Sequence, residues 1–196
     1  MSRSKKCILF ALMGFLMIAQ NKLSAQSEPE TEADIFTAKN SVHAELLGNS
    51  GGYALNYGRI LHQKNRMKLW GSAGFSLRRR GSSEPIFSAH WIPYFPAEIT
   101  VFLGKSKHNL ELGAGFYTLR NRSYTVEESL PNFIREEIHW DQFILARIGY
   151  RYQKPEGGFF FRAAYTPGIQ FFNSETWGKE VFYSPFLIGI SLGHSF

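Results

Sequence analysis

The 196-residue chain has a single cysteine, Cys7. That excludes an intrachain disulfide framework and any zinc or iron–sulfur site built on cysteines. Charge is also sparse. Only 19% of the residues are Asp, Glu, Lys or Arg, fewer than a water-facing surface usually carries. No apolar run reaches the ~20 residues that a helix needs to cross a bilayer; the longest, from Cys7 to Ala19, holds about 13. Signatures of chemistry are scarce as well: the chain contains no HExxH, no P-loop and no CxxC. The glycine-rich run from Gly48 to Gly52 lacks the lysine and helix of a phosphate loop, and reads as a turn.

What is abundant is aromatic and small. Phe, Tyr and Trp make up 16% of the chain, with 18 Phe, 9 Tyr and 18 Gly. That mixture suits strands joined by tight turns. The first 25 residues stand apart. Arg3, Lys5 and Lys6 precede the apolar run, and Ser24 and Ala25 supply small residues at a cleavage point. This is the layout of a signal peptide, residues 1–25, removed on export. Four of the 22 basic residues leave with it, which lowers the formal charge from +6 to +2. The mature chain then has no basic footprint for nucleic acid. Residues 26–39 are polar, with Glu28, Glu30, Glu32 and Asp34, and read as a flexible periplasmic lead-in to a β domain spanning 40–196.

From there on, apolar and polar residues alternate with period two. Eight stretches show it: residues 41–48, 52–61, 67–77, 97–104, 109–119, 140–152, 158–170 and 185–196. Leu110, Leu112, Ala114 and Phe116 oppose Glu111, Gly113 and Gly115. Phe159, Phe161, Ala163 and Tyr165 oppose Phe160, Arg162, Ala164 and Thr166. One face is apolar and often aromatic; the other mixes Gly, Ser and single charges. A sandwich in water would show Lys, Glu and Thr on its open face. Small residues suit the inside of a narrow closed sheet, and large apolar ones suit lipid. The expectation is an all-β fold: an eight-stranded antiparallel transmembrane β-barrel, closed and up-and-down. Short connections near residues 62–66, 105–108 and 153–157 would alternate with long ones at 78–96, 120–139 and 171–184.

Carrying the alternation through the chain places Glu45, Lys68, Glu111, Arg147, Arg151 and Arg162 on the inner face, where lone charges are costly and paired ones tolerable. The expected interior is a structural plug of ion pairs, with Glu111 reaching Arg147 across neighbouring strands, Arg162 joining Arg147 or Arg151, and Glu45 reaching across the lumen. Arg78, Arg79 and Arg80 form a basic run at the rim, suited to lipopolysaccharide phosphates. His90 and His139 fall beside long loops, where Glu98, Glu127, Glu128, Glu136, Glu137 or Asp141 would complete a metal or acid–base site. Trp70, Trp91, Trp140 and Trp177 lie near strand ends, as bilayer-boundary aromatics do. The apolar segment 87–95 reads as a loop packed over the mouth of the sheet.

The last residues, Phe186 to Phe196, alternate Phe186, Ile188, Ile190 and Leu192 and end on Phe196. In this the chain resembles outer-membrane β-barrels, whose terminal aromatic is a sorting signal, although His194 stands where those proteins commonly have an aromatic. Residues 23–26 and the segment Glu45–Tyr57 are similar to small outer-membrane β-barrel proteins of unknown function from Bacteroidota. The resemblance implies Phe196 as the assembly signal, recognition by the barrel assembly machinery during insertion, contact with outer-membrane lipid and lipopolysaccharide, and the cell outer membrane as location after export across the inner membrane. The functional expectation is an outer-membrane β-barrel protein with a structural, adhesive or binding role, no evident chemistry, no cofactor and no metal. The alternatives are a lipid A-modifying enzyme (acyl transfer or deacylation, with Ser88, His90 or His139 as candidates) and a narrow pore.

Overall fold

The structure is a computed structural model that describes residues 32–81, 89–126, 134–173, 182–184 and 188–196. These belong to one compact unit, Glu32–Phe196. The leader expected at residues 1–25 lies outside the described residues, as do Ser88, Glu127, Glu128 and Trp177.

Ten strands are described: β1 (Asn40–Leu47), β2 (Gly52–Lys64), β3 (Met67–Arg80), β4 (His90–Leu103), β5 (His108–Val126), β6 (Ile134–Gln153), β7 (Gly158–Tyr165), β8 (Gly168–Asn173), β9 (Phe182–Ser184) and β10 (Ile188–Ser195). All pairings are antiparallel. Each of β1 to β5 pairs with the next strand, and β5 pairs with β6 along its full length, from His108 opposite Tyr152 to Val126 opposite Ile134. The strand β6 pairs with β7, β7 with β10, and β10 with β1, so hydrogen bonding closes on itself. At the seam, the backbones of Asn40 and Phe196 exchange both hydrogen bonds, each 2.9 Å. Closure leaves no open edge along this ring, the feature that makes an open sheet prone to pair with another chain.

The alternation read from the sequence sets the two faces. Along β1, Ser41, His43 and Glu45 are buried while Val42 and Leu46 are exposed. Along β10, Gly189 and Ser191 are buried while Ile188, Ile190 and Leu192 are exposed. Glycines make room where the inner face is crowded. A Cβ on Gly58 would overlap the indole of Trp70, which is fully buried. Gly48 has φ 58° and sits against Glu45 and the backbone of Gly189, so a side chain there meets both strain and overlap.

Two apolar clusters close the interior at its ends. One holds Phe36, Ile60, Trp70 and Phe102. The other holds Ile92, Tyr94, Tyr117, Leu119 and Leu145, with Phe143 packed against it and stacked on Tyr117 at 4.4 Å. Phe36 comes from the segment expected to be a flexible lead-in. From Glu32 on, that segment is tied to the ring: the Asp34 N–H donates to Lys105 O, Phe36 N–H to Gln63 Oε1, and Thr37 N–H to Pro155 O. The burial of one phenyl ring brings this stretch into the core.

The expected eight-stranded transmembrane barrel is corrected. The sheet has ten strands, ordered β5-β4-β3-β2-β1-β10-β7-β6-β8-β9 with the further β5–β6 pairing. Pro167 has no N–H to give the ladder, so the seventh expected stretch divides into β7 and β8. The strand β6 pairs with both pieces, and β9 adds to β8, so the sheet carries a spur beyond its closed ring. No helix among the described residues is long and apolar enough to cross a membrane, a fact that says nothing of strands. With ten strands and a spur, the sheet is not the eight-stranded transmembrane barrel expected. The strands are also longer than expected: β4 begins at His90 rather than Ala97, β5 runs on to Val126, and β6 starts at Ile134. Residues 90–95, expected as part of a loop, are β-strand.

Candidate functional site

The inner face at mid-height is built from five strands. The strand β1 contributes Glu45, β4 Glu98, β5 Glu111, β6 Arg147 and Arg151, and β7 Arg162. All six side chains are at least 97% buried. Three carboxylates face three guanidiniums, so the layer is formally neutral.

Glu111 stands at the centre. Both of its oxygens accept from Arg162 Nε, at 2.9 and 3.0 Å, and Oε1 also accepts from Arg151 Nη1 at 3.2 Å. This explains how Arg151 and Arg162, directly opposite each other in the β6–β7 register, tolerate their like charge. Glu98 accepts from Arg162 and lies 2.6 Å from Arg147 Nε; Thr100 Oγ1 donates to it at 3.0 Å. Glu45 takes Arg147 from the far side of the ring and caps the 3-10 turn Gly48–Ser50 by accepting the Asn49 N–H at 3.1 Å. That turn dips inward: Asn49 is buried and donates to Ala97 O at 2.9 Å. Arg151 also stacks, its guanidinium carbon 4.5 Å from the Trp70 and Phe102 ring centres.

Five of the six residues expected inside meet in one network, in which Glu45 reaches across to Arg147. Glu111 holds Arg162 and Arg151 closely and Arg147 only at 3.9 Å. Arg162 meets the other arginines only through shared carboxylates. The sixth residue, Lys68, is buried but lies elsewhere: it donates to Gly104 O at 2.7 Å and sits over the Phe36 ring at 4.7 Å. Glu98 was the residue that sequence reasoning placed in the wrong group. It was expected among loop acids near His90 and His139. Its parity with Thr100 and Phe102, against Ile99, Val101 and Leu103, marks it as inward.

The arrangement has little chemistry to offer. Paired carboxylates are weak bases, and guanidinium is a poor acid. His43 is buried between Trp70 and Phe160, each 5.5 Å away, and neither ring nitrogen has a hydrogen-bond partner in the protein. Ser191 Oγ is likewise unpaired. These buried polar atoms fit places for ordered water.

The rim run Arg78–Arg80 is split by the alternation. Arg78 turns inward, donating to Gly51 O at 2.8 Å and lying over the Tyr94 ring at 4.7 Å. Arg80 reaches Asn121 Oδ1 at 3.5 Å, and Asn121 in turn donates to Asp141. Arg79 alone of the three is on the outer face, opposite Trp91. Phe196, the expected assembly signal, has an exposed ring and a backbone paired with Asn40. His139 and Asp141 are buried at the same rim, and among the described residues no three His, Cys, Asp or Glu are grouped to hold a metal ion.

No family model, curated protein or solved structure matches this chain. The expected outer-membrane β-barrel role, structural, adhesive or binding, is corrected to a β-sheet domain with no metal-holding cluster among its described residues. Of the candidates for a lipid A-modifying enzyme, Ser88 lies outside the described residues, and His90 and His139 belong to no metal-holding cluster among them. The pore alternative is overturned by the interior itself, where Arg147, Arg151, Arg162, Glu45, Glu98 and Glu111 fill the space a channel would need.

Proposed function

We propose that this chain binds lipid through the outer face of its sheet, and that the ion-paired interior is a rigid support that carries out no reaction. The observation that carries this reading is the inversion of the usual order of polarity. Charges are buried while large apolar side chains stand exposed all round the ring: Leu55 is 63% exposed, Ile99 61% and Ile188 60%. Exposed apolar area on this scale calls for an apolar cover. An encircling surface, with members on β1 to β8 and on β10, fits a fluid of acyl chains better than a single protein partner, which covers one side.

The edges of this face agree with such a cover. Outward basic residues lie toward the two ends of the ring: Arg59 toward one, Arg79 and Arg120 toward the other. Between them the outward positions are apolar or small, with Thr118, Gln142 and His194 as polar exceptions. Tyr57 and Tyr150, and at the other end Trp91 and Trp140, are exposed near those boundaries, where amphipathic rings have one wet and one apolar side. Flotation tests the reading. Residues 26–196, refolded from denaturant in the presence of phosphatidylcholine vesicles, are expected to float with them and to resist extraction by high salt. A monodisperse, folded monomer in detergent-free buffer that stays at the bottom of the gradient would overturn it.

A further inference from the structure

The rim near Arg79 carries more information than the apolar face alone. Five arginines gather where β3 ends beside the later part of β5: Arg78, Arg79, Arg80, Arg120 and Arg122. Three are spent inside the protein. Arg78 holds Gly51 O, Arg80 reaches Asn121, and Arg122 pairs with Glu136 at 2.7 Å. Arg79 and Arg120 are exposed on the outer face, and the described residues give neither an ion pair nor a hydrogen bond. Each stands opposite an exposed tryptophan in the strand register, Arg79 opposite Trp91 and Arg120 opposite Trp140. The strands β3 and β5 flank β4, so their backbones are about 10 Å apart. Two extended arginine side chains are long enough to reach across that distance.

Directly below, the surface is apolar. Leu77 is opposite Pro93, and the exposed rings of Phe75 and Phe95 lie 5.5 Å apart. A ligand that satisfies both halves has a negative head and a hydrocarbon body. We propose that Arg79 and Arg120, framed by Trp91 and Trp140, form a site for the phosphate headgroup of an anionic lipid whose chains lie along Leu77, Phe75 and Phe95. This inference rests on the lipid-binding reading above and gives it a preferred headgroup and a side. Guanidinium suits the task because its planar fork meets two phosphate oxygens at once.

The test compares vesicles of phosphatidylcholine alone with vesicles containing phosphatidylglycerol as well. The native chain is expected to partition about tenfold more strongly into the anionic vesicles at low salt, through the attraction of basic side chains to the surface. Arg79→Gln combined with Arg120→Gln is expected to abolish that preference and leave partition into phosphatidylcholine unchanged. Arg79→Lys with Arg120→Lys is expected to keep part of it, because the charge stays while the fork is lost. Circular dichroism of each variant reports folding. Equal partition of the native chain into both vesicles would overturn the headgroup site and spare the lipid reading. Retention of the preference by the double Gln variant would also overturn the site. Partition into neither kind would overturn both.

Discussion

Adjacent residues on one strand of this protein obey opposite rules. Glu111 is fully buried and Leu112 is exposed; Arg162 is fully buried and Ile190, on the outer face of the neighbouring strand β10, is exposed. In most folds the carboxylate and the guanidinium would be outside and the leucine inside. The difference teaches where the solvation of each face comes from. The inner face is closed off and must satisfy its own charges, so Glu45, Glu98 and Glu111 are matched against Arg147, Arg151 and Arg162. The outer face satisfies nothing by itself and depends on its surroundings. One face is demanding of exact partners, and the other of a medium.

That contrast is broken most severely from inside. Glu111→Ala leaves Arg162 and Arg151 buried with one carboxylate fewer, and is expected to destabilise the fold by about 4 kcal/mol, the usual cost of stranding a buried charge. Urea unfolding in vesicles or detergent, followed by tryptophan fluorescence, measures it; a midpoint equal to that of the native chain would contradict the central place of Glu111. Next in size is Phe36→Ala. It opens a hole between Trp70, Ile60 and Phe102, and an aromatic truncation of this kind costs about 3 kcal/mol. The same unfolding assay checks it, and proteolysis is expected to clip residues 32–39 of the variant first. The smallest effect is expected outside. Leu112→Ala removes apolar bulk that touches the surroundings in the folded state, and is expected to cost under about 1 kcal/mol in lipid. A loss as large as that of Glu111→Ala would mean that Leu112 packs against protein after all.

How far this was legible in the sequence depends on the scale. Period two reports which way a side chain points, and Glu111, Arg147, Arg151 and Arg162 are buried in the structure. It does not report register, so the partners of Glu111 came out only when the ring closed and set β7 beside β6. The segment 87–95 reads as a loop, yet alternation runs straight through Pro93 and Pro96, with Ile92, Tyr94 and Pro96 buried and Trp91 and Phe95 exposed. Pro167 interrupts the ladder. Starting the fourth strand at Ala97 put Glu98 at an apparent loop edge and hid its role. The basic run Arg78–Arg80 reads as a unit along the chain, but in a strand only every second residue shares a face, so Arg79 is joined instead by Arg120 from β5. Phe36 had no pattern around it to reveal that its ring is buried.

Under the proposed function, the outer face lies in hydrocarbon while the inner face is sealed. Residues 26–196 contain no cysteine, so single sites can be labelled cleanly with a nitroxide. Leu112→Cys and Ile190→Cys report the outer face, and Glu156→Cys, in the turn between β6 and β7, reports water. In phosphatidylcholine vesicles, labels at 112 and 190 are expected to be broadened strongly by oxygen, which partitions into lipid, and weakly by a water-soluble nickel complex, with the reverse at 156. Labels at 112 and 190 that respond to nickel as strongly as the label at 156 would contradict the account.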